Sequence, residues 1–197
     1  MPTRNHPFPC RCDKEIRAAE LKATRHLAVI ERDRGEFALA DQHFTEAASI
    51  AAEISSEPDR EEMMANILDM IGVMQLARGQ LEEAKESFYS ASERFRKVSD
   101  NVRLSKVSNH LGRTFELQQL FNEANAYFSK ALSEASAARR LDERAHALFG
   151  LARIAGLRGR VQDARRFLTD AKAGFSELGD SRTLDKINEC ETTSGTS

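Results

Sequence analysis

Large apolar, small apolar and polar positions return in the same order four times along this chain. The stretches RGEFALADQHF from Arg34, RGQLEEAKESF from Arg78, QQLFNEANAYF from Gln118 and RGRVQDARRFL from Arg158 are spaced by 44, 40 and 40 residues. Upstream of each stretch stand Leu27, Ile71, Leu111 and Leu151, each followed by a small residue: Ala28, Gly72, Gly112 and Ala152. Inside the stretches run the columns Ala40, Ala84, Ala124, Ala164 and Phe44, Phe88, Phe128, Leu168. Beyond them comes the column Ala47, Ala91, Ala131, Ala171. Two four-membered columns of alanine in one register mark an internal repeat, which decides the fold before anything else does.

Helix packing accounts for these columns. Small residues let paired helices approach, and large apolar ones fill the gaps between them. Each unit reads as helix A, turn, helix B. Gly35, Gly79 and Gly159 fall just after helix A, where a left-handed residue ends a helix. The third unit has Gln119 there, so its turn is expected to be built differently. The pattern predicts helices near 13–34 and 37–55, 58–78 and 81–98, 102–118 and 122–138, 142–158 and 161–178. A last helix near 181–190 presents Leu184 and Ile187 to the open face of the final helix B and is polar elsewhere, as a cap should be. The four extra residues between units one and two fall around Ser55–Pro58, with Pro58 in the first turn of a helix. The expected organisation is an N-terminal disordered arm over 1–12, one helical repeat domain over 13–190 and a flexible tail over 191–197.

The pattern L-[GA]-x11-A-x3-[FL]-x2-A resembles the tetratricopeptide repeat. The period of 40 exceeds the usual 34 of that family. It is similar to the long-helix variants in kinesin light chains, cell-polarity scaffolds and bacterial regulators. The resemblance implies an all-α fold: an α-solenoid, wound as a right-handed superhelix, of four helix–turn–helix units with a C-terminal capping helix. It also implies a concave face lined by helix A that binds other proteins. The second, fifth, ninth and twelfth positions of helix A would face inward. They are Lys22, Arg25, Val29 and Arg32; Asn66, Asp69, Val73 and Leu76; Lys106, Asn109, Arg113 and Glu116; and His146, Phe149, Arg153 and Gly156. Six of these are Lys or Arg and two are acids, which predicts an acidic protein or peptide segment as partner. The carboxylate clamp of chaperone-binding relatives is not matched, because Arg25, Val29, Met70, Lys106 and His110 occupy its positions without either amide.

Composition narrows the picture further. The 197 residues carry 29 Lys and Arg against 31 Asp and Glu, a balance that argues against electrostatic binding to nucleic acid. No apolar run approaches a membrane span, and no h-region of a signal peptide follows Arg4, so a cytoplasmic location is expected. Three cysteines, Cys10, Cys12 and Cys190, suggest no disulfide framework. His6, Cys10 and Cys12 lack the spacing and the fourth ligand of a zinc site. No phosphate-binding glycine loop, nucleophile elbow or HExxH is present, so no cofactor, metal or catalytic role is expected. The reading is a non-catalytic interaction module or scaffold. Its rival is a regulatory sensor of peptides or effectors acting on a separate effector subunit. A third reading is self-association through an uncapped terminal helix.

Overall fold

The computed structural model describes residues 11–194, with side chains over 15–188. Among these residues there are nine helices and no strand: α1 (Arg11–Arg34), α2 (Phe37–Ala52), α3 (Glu57–Ala77), α4 (Leu81–Lys97), α5 (Asn101–Leu117), α6 (Phe121–Ala137), α7 (Leu141–Leu157), α8 (Val161–Glu177) and α9 (Ser181–Ser194). The arm expected over 1–12 lies almost wholly outside the described residues. The final helix runs to Ser194, four residues into the stretch expected as tail.

From α4 to α8 every helix is 17 residues long and every turn is three. The cause is one cap used repeatedly. Gly79 takes φ +75° and its N–H donates to the Leu76 carbonyl at 3.0 Å, while the Gln80 N–H donates to Gln75 at 2.9 Å. This pair of bonds is the Schellman cap, which satisfies carbonyls that a helix end leaves open. Left-handed residues then recur every 20 positions, at Ser99, Gln119, Arg139, Gly159 and Gly179. Gln119 overturns the expectation of a different turn. It takes φ +61°, and the Gln119 and Leu120 amides donate to Glu116 and Phe115 at 2.9 Å each, as in the glycine turns. The two cap bonds and the packing of both helices hold a residue that would otherwise resist that conformation. The 40-residue unit is therefore two half-units of 20.

The first unit departs from this metre. α1, α2 and α3 have 24, 16 and 21 residues. The link from α2 to α3 contains no left-handed residue among 53–56; Glu53 is right-handed and Ser56 extended. Pro58 falls in the first turn of α3, and the Arg60 guanidinium donates to the Ile54 carbonyl at 2.9 Å.

The columns fill the core as helix packing requires. Ala40, Ala84, Ala124, Phe44 and Phe88 are fully buried, and Phe128 nearly so. A Cβ placed on Gly72 would stand 2.6 Å from the Phe88 ring, and one on Gly112 2.7 Å from Phe128. Phe128 also faces Gly150 of the next unit, where a Cβ would approach to 2.5 Å. The fourth unit corrects the expectation of equivalent columns: Ala164 and Leu168 are only half-buried. Among the described residues α8 is followed by the short α9, whose Leu184 and Ile187 pack toward Phe175.

Candidate functional site

α1 contacts α3, α3 contacts α5 and α5 contacts α7, so these four helices form one side of the stack. Their predicted inward residues are joined across neighbouring helices by polar seams. Asp69 on α3 is buried and accepts from Lys106 Nζ of α5 at 2.9 Å; its other oxygen lies 2.7 Å from His110 Nδ1. Burial would raise the Asp69 carboxyl, but His110 and Lys106 outweigh it and hold it at about 2. About two turns further along α5, Arg153 of α7 grips Glu116 with two bonds of 2.8 and 2.7 Å, and Arg113 reaches the same carboxylate at 2.9 Å. Here too burial opposes ionisation, and the two guanidinium groups override it, so Glu116 stays below its ordinary pKa. Asn109, buried, donates from Nδ2 to both the carbonyl and the carboxylate of Glu143 at 2.9 Å.

These contacts change the charge count. Lys106, Arg113 and Arg153 are engaged with Asp69 and Glu116, and Glu62 and Glu143 bring acids to the seams from positions outside the four inward columns. Glu62, for instance, pairs with Arg103 at 3.0 Å. Arg32 is held by Asp33 at 2.7 Å, and Asn66 donates to the Glu62 carbonyl at 2.9 Å. Val29, Val73 and Leu76 are half-buried against the core. His146 and Phe149 lie beside Phe175, with ring centroids 5.1 and 6.5 Å from it, and the Arg153 guanidinium stands 4.6 Å over Phe149. Gly156 is exposed.

The N-terminal end differs. Between α1, the end of α2 and the start of α3 opens a cleft of about 1000 Å³, with Ile16, Leu21, Ile50, Ile54 and Met63 along it and Arg17, Lys22 and Arg25 at its edges. Arg17 is held by Glu20 and Glu53, each at 3.2 Å. Lys22 is exposed. Arg25 is half-buried. Its Nη1 donates to the sulfur of Met63 at 3.7 Å, and its Nε is buried with no hydrogen-bond partner. Burial and the neighbouring Arg103 lower its pKa against the pull of Glu62. The inward columns contain Lys22 and Arg25 but not Met63, Ile50 or Ile54. The signal for those residues was the four-residue insertion itself, whose Ser55 and Ser56 lie along the same cleft.

Among the described residues no group of three or more His, Cys, Asp or Glu is placed to hold a metal ion, and no helix is long and apolar enough to cross a membrane. The side chains of His6, Cys10, Cys12 and Cys190 lie outside the described residues.

Residues 63–133 match the family model described as Tetratricopeptide repeat. Over that stretch the chain carries tetratricopeptide repeats. As a family these repeats are interaction modules and scaffolds rather than catalysts. No curated protein matches the sequence significantly. Among solved structures the repeats are similar to aspartyl phosphate phosphatase F from Bacillus subtilis, with TM-score 0.72, 18% identity and 94% of this chain covered. The chain spans 50% of that phosphatase. They are also similar to BtubC (BKLC) from P. vanneervenii, with TM-score 0.67, 16% identity, and 94% of this chain and 85% of that one covered. A third likeness is a putative kinesin light chain with nearly identical TPR-like repeats from Podosopora anserina, with TM-score 0.61, 17% identity, and coverage of 90% and 98%. At these identities the likeness is one of fold.

Proposed function

We propose that this tetratricopeptide module binds an acidic, partly apolar segment of another protein on the side formed by α1, α3, α5 and α7. In this reading the segment is anchored at the N-terminal cleft. One observation carries it: Arg25 is a half-buried guanidinium that touches a methionine sulfur rather than a carboxylate, beside an apolar floor. A carboxylate from the partner would give Arg25 and the exposed Lys22 the charge-assisted bonds they lack. Ile16, Ile54 and Met63 would receive an apolar side chain next to it. Farther along the groove Lys106, Arg113 and Arg153 already have acidic partners, so they would orient the segment more than hold it.

The test is a peptide array of acidic–apolar sequences, followed by titration of the best binder at low and high salt. Arg25→Glu together with Lys22→Glu should abolish binding, while Arg113→Glu should weaken it modestly. Binding should fall as salt rises, because exposed charges are screened within about 8–10 Å at physiological ionic strength, and the apolar contacts should leave a residue of affinity. Unchanged affinity in the Arg25→Glu, Lys22→Glu protein would move the partner off this side of the stack.

A further inference from the structure

The chain has two tyrosines and no tryptophan, and the fold brings the two tyrosines together. Tyr89 of α4 and Tyr127 of α6 stand with ring centroids 6.3 Å apart, and the Tyr127 hydroxyl donates to the Tyr89 hydroxyl at 3.2 Å. The backbones of α4 and α6 do not approach each other. Each packs on α5, so the two rings reach toward one another from B helices of consecutive units. The repeat does not call for tyrosine at either place. The equivalents of Tyr89 are Thr45, Ser129 and Thr169, and those of Tyr127 are His43, Ser87 and Phe167. Only the junction of units two and three pairs two phenols.

The two rings are held differently. Tyr127 is half-buried and stacks on Phe115 of α5, with centroids 5.3 Å apart and planes 14° from parallel, and Lys130 Nζ stands 5.8 Å from its ring. Burial, and the bond it makes to Tyr89, push its phenol up to about 12, so it keeps its proton and serves as the donor. Tyr89 is 42% exposed, so its ring can turn and an oxidant in solution can reach it. Phenols give up an electron more readily than the Phe and His rings around them.

We propose that Tyr89 and Tyr127 are an oxidative cross-linking site, coupled by a haem peroxidase and hydrogen peroxide into one intramolecular dityrosine that ties α4 to α6. The oxidant takes one electron from each ring, and the two phenolic protons go to water. The two phenoxyl radicals join through the ring carbons next to their hydroxyls, and the hydrogen on each joined carbon then moves to the phenol oxygen. The protein loses two hydrogens in all, and one hydrogen peroxide is reduced to two waters. Phe115 keeps Tyr127 in place while the exposed Tyr89 ring swings from hydroxyl contact to carbon contact. The bond joins residues 38 apart in sequence, so it removes freedom from the unfolded chain and fixes unit two against unit three. Neither tyrosine is an inward residue of an A helix, so the site stands independently of the partner proposed for the groove.

Treatment of the full chain, thiols alkylated, with a haem peroxidase and hydrogen peroxide across a dilution series tests it. Dityrosine fluorescence should appear in the monomer with a mass loss of two hydrogens, at a yield that dilution does not change. Proteolysis should release one cross-linked pair of peptides carrying Tyr89 and Tyr127, and the cross-linked protein should melt above the unreacted one. Tyr89→Phe and Tyr127→Phe should each abolish the monomeric product. Tyr89→Phe with Ser90→Tyr keeps two tyrosines but turns one to another face of α4, and it should give no monomeric product either. No dityrosine under conditions that couple free tyrosine, or dityrosine only between chains, would overturn the proposal. So would equal monomeric yield from the Tyr89→Phe, Ser90→Tyr protein, or an unchanged melting midpoint after cross-linking, which would show that the bond does not fit the folded stack.

Discussion

The stretch from α4 to α8 and the unit formed by α1 and α2 are built from the same columns, yet they use their charges differently. Within the regular stretch and at its junction with α3, inward cations meet inward acids: Arg153 of α7 with Glu116 of α5, and Lys106 of α5 with Asp69 of α3. In the first unit, which ends in the irregular link after α2, Arg25 faces Met63 instead of an acid. Regularity turns polar side chains into internal staples. The break in regularity leaves Arg25 without such a staple.

Substitutions paired across the two regions test this contrast. The largest effect is expected at Phe128, which is wedged between Gly112 and Gly150 of adjacent units. Phe128→Ala should cost about 3–5 kcal/mol in chemical unfolding. Phe44→Ala, in a unit that among the described residues is packed on one side only, should cost less. Equal losses would show that the first unit is packed as firmly as the middle.

Next comes the pH response of the seams. The Asp69 carboxyl lies at about 2 in the folded protein against an ordinary 3.8. Its ionised form thus adds stability that is complete above about pH 4 and disappears as pH falls toward 2, worth about 2 kcal/mol. Asp69→Asn should flatten the stability profile in that window, leaving the protein weaker near neutral pH. Arg25→Gln at the irregular end should leave the same profile unchanged. A flat wild-type profile would remove the staple role of Asp69.

The smallest effect concerns the turns. Gln119→Gly relieves a left-handed residue at φ +61° and should raise the melting midpoint by the equivalent of about 1 kcal/mol or less. Glu53→Gly, where φ is −79°, should give no gain. A gain at both positions would mean that backbone handedness does not separate the two links.

Much of this architecture was readable in the sequence because packing constraints repeat. Gly72 opposite Phe88 and the buried alanines follow from one spacing imposed four times. The half-unit metre was less visible, since Ser99, Gln119 and Arg139 take a conformation that composition associates with glycine; the caps impose it from outside the residue. The site was read less fully for a related reason. Counting four inward positions per helix found Lys106, Arg113 and Arg153 but not Glu143, which reaches Asn109 from a position outside those columns. Pairing between helices depends on the offset of one helix against the next, and no single helix encodes that offset. Arg25 was on the inward list, but its contact with the Met63 sulfur depends on how α3 sits against α1, which neither helix encodes alone.

The 20-residue metre also sets an arithmetic of parity for the length of this protein. Every half-unit from Leu81 to Glu177 has the same helix length and the same turn, so the backbone alone does not distinguish an A helix from a B helix; only the side-chain columns do. Loss of 40 residues within this stretch joins like to like and yields a shorter stack with the same inner side. Loss of 20 leaves a chain whose turns still fit but whose inside and outside have changed places from that point onward. Lengthening or shortening can therefore proceed only in even steps, and the two-helix unit is the quantum of growth.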